Sequence, residues 1–194
     1  MKRAMHKHGQ SGGKFGWGTG QGDTDSGAVT VSTDDPVTVS AEAVESSDST
    51  YSDAAIAELL FMIEEEKLAG DVYEAFYDLY GIKVFDNIAA SEDRHFDALI
   101  AQAEALGIDT DAFVFAEAGE FENDELQALY DSLIAEGSVS LTDALEVGVA
   151  IEERDMVDIA AAIDAVEGTV LADIYQNLLD GSVAHLAAFE GLLA

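Results

Sequence analysis

Apolar residues recur at alternating spacings of three and four in four stretches of this chain, the spacing that keeps side chains on one face of an α-helix. The first stretch runs from about Asp53 to Tyr80, with Ser52 placed to cap it and Gly81 to end it. Its seam reads Leu59, Met62, Glu66, Ala69, Tyr73, Phe76, Tyr80. The second, from about Val84 to Leu106, carries Ile88, Glu92, His95, Leu99 and Leu106, and ends at Gly107. A third begins at Ser140, with Asp143 three residues on as in a capping box. Its seam is Leu145, Val149, Glu152, Met156, Ile159, Ile163, and Gly168 closes it. The fourth spans about Thr169 to Leu193 with Leu171, Ile174, Leu178, Ser182, His185, Phe189 and Leu192. At 1.5 Å per residue each helix is roughly 30 to 40 Å long.

Connection lengths predict how the helices pair. Short turns at Gly81 and Gly168 make two antiparallel hairpins. Between them lies the segment from Gly107 to Val139, long enough to travel the length of a bundle, with a short helix expected over Asn123–Glu136. The prediction is an all-α four-helix bundle, two antiparallel hairpins joined by a long crossover containing a short helix, which is the ferritin-like arrangement.

Each seam is interrupted near its middle by an acid or a histidine: Glu66; Glu92 and His95; Glu152; His185. A carboxylate buried in a bundle is costly unless it is paired, protonated or bound to metal. The point midway between Glu66 and the Glu92/His95 pair falls at about residue 80, in the first turn. The point midway between Glu152/Asp155 and Ser182/His185 falls at Gly168. Residues equidistant from a hairpin turn lie side by side, so the polar groups of each hairpin are level with one another, as one shared site requires. Blander readings compete. A single Glu-x-x-His spacing is weak; Glu66 closes the run Glu64-Glu65-Glu66, which fits a solvated face; His95 and His185 fit core or surface histidines; Tyr73 and Tyr175 fit core packing better than a place beside a metal; and His6 and His8 fit a functionless tail.

Composition changes the picture at the N-terminus. Residues 1–50 hold 8 of the 17 glycines, the only proline and many Ser and Thr, with no apolar run, so they are expected to be a disordered acidic tail with a basic start; residues 51–194 form the domain. The domain carries 4 Lys/Arg against 33 Asp/Glu, a net charge of −29. Such a surface repels nucleic acid and anionic membrane, and it resembles proteins of salt-rich cytosols, a halophilic trait. No cysteine is present, which removes disulfides, thiolate metal sites and a catalytic thiol. With no apolar stretch long enough for a signal peptide or a membrane span, a soluble cytoplasmic protein is expected.

Glu66-Lys-Leu-Ala69-Gly-Asp-Val-Tyr73 resembles the first-helix motif of rubrerythrins and ferritins, and Ser91-Glu92-Asp-Arg-His95 is similar to their second-helix Glu-x-x-His. With Ile151-Glu-Glu-Arg-Asp155 and Asn177-Leu-Leu-Asp-Gly-Ser182-Val-Ala-His185-Leu, the set looks like an uncharacterised domain family within the ferritin-like superfamily, over about Ile56 to Leu193. The resemblance implies a di-iron or di-manganese site with Glu66, Glu92, His95, Glu152 and a Glu-x-x-His of the fourth helix as ligands. Here that helix offers Ser182-Val-Ala-His185, so one carboxylate is missing. Asp155, one turn after Glu152, stands either to replace it as a sixth ligand or to accept a proton from a ligand imidazole. Glu153, adjacent to Glu152, points about 100° off the seam and is a weaker candidate.

Mixed carboxylate and imidazole ligands favour two iron ions, then manganese, with zinc less suited but open. The leading expectation is ferroxidase or peroxide-reducing chemistry with an external electron donor. Metal storage without turnover, in a dimer or larger homo-oligomer, is one alternative; a metal-free structural or partner-binding bundle is the other.

Overall fold

The structure is a computed structural model, and it describes residues 51–194; the expected disordered tail lies outside the described residues. The described residues form an all-α bundle of six helices: α1 (Asp53–Tyr80), α2 (Lys83–Ala105), α3 (Asp111–Val114), α4 (Asp124–Gly137), α5 (Leu141–Ala165) and α6 (Val170–Leu193). Helix starts follow local chemistry. The hydroxyls of Ser52, Ser140 and Thr169 accept from the backbone N–H of Ala55, Asp143 and Ala172, and the Asn123 side chain accepts from Glu125 and Leu126. Two turns need glycine for its backbone: Gly81 and Gly168 have φ of 67° and 79°, a region that an L side chain rarely enters.

Helix α1 packs along α2 and α5 along α6, while α1 also meets α4 and α5, and α2 meets α6. The middle of helix α1 is thereby wrapped on every side, and all twelve residues from Met62 to Tyr73 are buried. This settles the acidic run: Glu64, Glu65 and Glu66 form no solvated face. The seam of α5 is also rotated from the expected one, since Asp155 is buried and Met156 half-buried. Helix α3 was not legible in the sequence. None of its four residues is fully buried, and only Phe113 packs against the core, so no apolar periodicity marks them.

Apolar residues gather in two clusters. One holds Leu59, Met62, Ile63, Leu99, Ile159, Tyr175 and Leu178 among others; the other holds Val72, Tyr73, Phe76, Phe85, Ile88, Ile151 and Phe189. The first draws on the N-terminal part of α1 and the C-terminal part of α2, the second on the reverse. Between these stretches of the helices lie the polar residues Glu66, Glu92, His95, Glu152, Asp155, Ser182 and His185.

Candidate metal centre

Five of the six residues expected from the sequence come together in two groups within this polar layer, one or two from each long helix. Glu66 comes from α1, Glu92 and His95 from α2, Glu152 from α5 and His185 from α6. Glu66, Glu92 and Glu152 are at most 2% exposed, and His185 is buried at 9%. They form two groups whose nearest ligand atoms all lie within 4.8 Å of one another: Glu66, Glu92 and His95, and Glu92, Glu152 and His185.

Glu92 joins the groups. Its Oε2 lies 2.7 Å from His95 Nδ1 and its Oε1 lies 2.8 Å from His185 Nδ1. On the outer side of each histidine stands a second carboxylate, Glu66 Oε2 at 3.1 Å from His95 Nδ1 and Glu152 Oε2 at 3.5 Å from His185 Nδ1. The three-residue spacing of Glu92 and His95 places both on one face of α2, as a helix requires. The Tyr73 hydroxyl donates to Glu152 Oε1 at 2.6 Å, which fixes one oxygen of that carboxylate and leaves the other directed at His185.

The donor set fits metal better than it fits itself. Glu92 Oε1, Glu152 Oε2 and His185 Nδ1 are fully buried and have no hydrogen-bond partner, although the nitrogen sits 2.8 Å from the Glu92 oxygen. The atoms are close, yet the N–H is not directed along the contact. Buried polar atoms that converge without bonding are costly, and a cation held in common removes that cost. Oxygen and imidazole ligands without thiolate are those that suit iron(II) and manganese(II).

Without a cation, protons balance the site. Burial alone would lower the histidines, but hydrogen bonds and charge from Glu66 and Glu92 push His95 up to about 10, and the negative charges of the nearby Glu92 and Glu152 raise His185 to about 9. Burial acts against ionising Glu92 too, and the two imidazoles outweigh it, holding the carboxyl down at about 2. Burial lifts Glu66 to about 8 despite the opposing pull of His95, and burial likewise raises Glu152.

Asp155 is placed differently. It is 7% exposed and belongs to neither trio. Burial, then the charges of Glu66, Glu152 and Glu92, push its carboxyl well above the usual range. The structure sets it beside the cluster, where ionising it is disfavoured. Glu153 is exposed. Ser182 is buried, and its hydroxyl donates to Leu178 O at 3.2 Å on its own helix. Tyr175 belongs to the core, with its hydroxyl unpartnered.

Sequence reasoning missed the opposite face of α1. Lys67 is 2% exposed; its Nζ donates to Asp71 Oδ2 at 2.6 Å and to the carbonyls of Glu117 and Glu120 at 3.0 and 3.2 Å, and lies 4.5 Å from the centre of the Phe121 ring. Asp71 also accepts from Gly119 N, and Glu64 accepts from Glu122 N and Asn123 N. Glu65 meets Arg154 at 3.3 Å. Three residues flanking Glu66 thus bind α1 to the connection preceding α4. One signal was available: Lys67 is one of only 4 Lys/Arg in residues 51–194, set four residues before an acid.

A family model described as "Uncharacterized protein domain (DUF2202)" matches residues 55–193. Uncharacterized protein MJ0754 of Methanocaldococcus jannaschii is 38% identical over 135 residues, which cover 70% of this chain and 72% of that protein. The crystal structure of hypothetical protein MJ0754 from Methanococcus jannaschii superposes with a TM-score of 0.69 at 35% identity, over 73% of this chain and 81% of the other.

Proposed function

The chain belongs to the family of the uncharacterized protein domain DUF2202, and on that footing we propose that it is a ferritin-like protein whose four long helices hold a di-iron centre, or a di-manganese one. The observation that carries this reading is Glu92, a buried carboxylate with one oxygen turned to each of two histidines, flanked by Glu66 and Glu152. A carboxylate so placed would be common to two ligand sets. Glu66 and His95 would complete one ligand set, Glu152 and His185 the other. Asp155 serves as a neighbouring acid near both sets rather than as the sixth ligand.

A metal pair bound there would supply one electron from each ion to oxygen or peroxide, the chemistry of a ferroxidase or a peroxide reductase. The protein's own part is preorganisation. Tyr73 fixes Glu152 through a 2.6 Å hydrogen bond, and the two apolar clusters bound the polar layer and limit water. Asp155 lies buried beside the ligand carboxylates, and in the metal-free protein burial and their charges raise its carboxyl. Since the chain has no cysteine, repeated turnover draws electrons from an external donor.

The test is anaerobic loading with Fe(II) and then Mn(II), with bound metal measured per chain beside a Glu92→Ala/His95→Ala variant. The expected result is about two ions per chain, lost in the variant, and peroxide consumed faster by the iron-loaded protein than by free Fe(II). Metal binding that the variant leaves intact would overturn the site. A fixed small number of ions with no peroxide consumption would leave the site standing and remove the enzyme. Retention of many ions per chain would assign storage instead.

A further inference from the structure

Glycine 181 lies inside α6, one residue before Ser182 and four before His185. Its backbone is ordinary helix; the glycines with positive φ among the described residues are Gly81, Gly107, Gly119 and Gly168. What it lacks is room. A Cβ at this position would stand 2.6 Å from His95 Cε1 and 2.7 Å from His95 Nε2, closer than the 3.0 Å below which a neighbour must move. The imidazole of His95 therefore rests directly on the main chain of α6, 5.8 Å from the His185 ring with 30° between the planes.

That seat fixes the position of the ring. With Cε1 and Nε2 against α6, Nδ1 is delivered 2.7 Å from Glu92 Oε2 and 3.1 Å from Glu66 Oε2. Displacing the ring by a methyl group changes the distance of Nδ1 from both carboxylates. The serine next to Gly181 keeps its hydroxyl on its own helix, so α6 serves this half of the cluster by leaving space. Resting on the metal reading above, we infer that Gly181 is a positioning residue for the Glu66/Glu92/His95 half of the centre, holding the His95 ring where its Nδ1 can bind a cation. Replacement by alanine weakens that half and spares the Glu92/Glu152/His185 half, since His185 Cε1 lies 3.7 Å from the Cβ position, an ordinary contact.

Gly181→Ala in the full chain tests this, with Gly191→Ala as the control. Gly191 lies on the same helix with no heavy atom within 4 Å of its Cβ position, so the control carries the helix-propensity effect without the clash. In Mn(II) titrations, Gly181→Ala is expected to weaken one of the two ions about 10- to 100-fold, the range for groups that orient a ligand, and to abolish the spin-coupled signal of a metal pair. In metal-free protein it is expected to shift the imidazole resonances of His95 and leave the ring resonances of Phe96 in place. In a His95→Ala background, where the ring is gone, Gly181→Ala is expected to cost nothing further.

Unchanged His95 resonances, or wild-type affinity for both ions, overturn the inference. So does an equal loss in the His95→Ala background, because the effect would then run through the helix. If Gly181→Ala fails to fold while His95→Ala/Gly181→Ala folds, the clash is confirmed; if both fail, the assignment to His95 is wrong. Should the wild type bind no metal while the His95 resonances still move, the metal reading falls and the seat of the ring stands.

Discussion

At the scale of single residues, the site is a competition between protons and cations for the same lone pairs. His95 and His185, raised to about 10 and about 9 against an ordinary 6.5, both carry protons at pH 7 in the metal-free protein. Each must lose that proton to bind a cation through Nδ1. The sign follows: protons oppose metal, so apparent affinity rises with pH until both imidazoles are neutral, above about 10. Loading at pH 7 in weak buffer should release both imidazole protons per chain, with a further contribution from Glu66, whose carboxyl is held up at about 8. A pH-stat titration reads this directly. Release of less than one proton at pH 7 would mean that the histidines are neutral before metal arrives. The same shifts bear on folding. A histidine raised above its unfolded value stabilises the metal-free fold fully below about pH 6.5, and that contribution fades as pH climbs through 9 to 10. Five of the proposed ligands were legible in the sequence because each interrupts an apolar seam, and burial makes such an interruption expensive. Asp155 was legible as a polar residue on the right helix, but its distance from the trio depends on the rotation of α5. That rotation is set by packing against α6, α4 and α1 together, which no local pattern records. Gly181 was not legible at all, since its reason lies in a ring on another helix.

Among elements, α1 carries most of the organisation. One face supplies Glu66 and Tyr73 to the polar layer, and the other holds the connection before α4 through Glu64, Lys67 and Asp71. Lys67 is the most exacting of these, because one buried ammonium serves a carboxylate and two carbonyls. Lys67→Met would leave Asp71 buried with only the Gly119 N–H of its described partners, and breaking a buried pair in this way costs about 3–5 kcal/mol. Urea unfolding of the metal-free protein should show a loss of that order. Lys83→Met, which breaks an exposed pair with Asp86 on α2, should leave the midpoint in place. Equal effects would mean that the α1 clamp is no stronger than a surface contact. The four long helices were legible because periodicity, capping hydroxyls and terminal glycines agreed along each. Turn positions at Gly81 and Gly168 followed from the same signals. The clamp escaped because its partners are main-chain groups of an irregular segment, and main-chain positions leave no mark in side-chain patterns. For the same reason the burial of Glu64 left no mark in the sequence, where Glu66 alone of the acidic run was read on the apolar seam.

Over the whole described domain, charge and burial pull in opposite directions. Seven of the 33 acids in residues 51–194 are buried, leaving 26 half-buried or exposed against three cations outside the core, Lys83, Arg94 and Arg154. Mutual repulsion on this scale destabilises the compact state at low ionic strength, where fields reach roughly 30 Å, and is relieved near 1 M salt, where they reach about 3 Å. The unfolding midpoint of the metal-free protein should therefore rise steeply as sodium chloride goes from about 0.01 M to a few tenths molar. Bound metal should flatten the rise by neutralising part of the charge at the centre of the bundle. Separating screening from the general strengthening of apolar burial by salts needs a second series. Sodium chloride and sodium sulfate matched in ionic strength should coincide at the low end, where screening dominates, and diverge only toward molar concentrations, where sulfate excluded from the surface adds to burial. A midpoint flat across the low range would mean that the fold tolerates its surface charge without screening. The acidity would then serve another purpose, such as raising the local concentration of cations around a centre built to bind them.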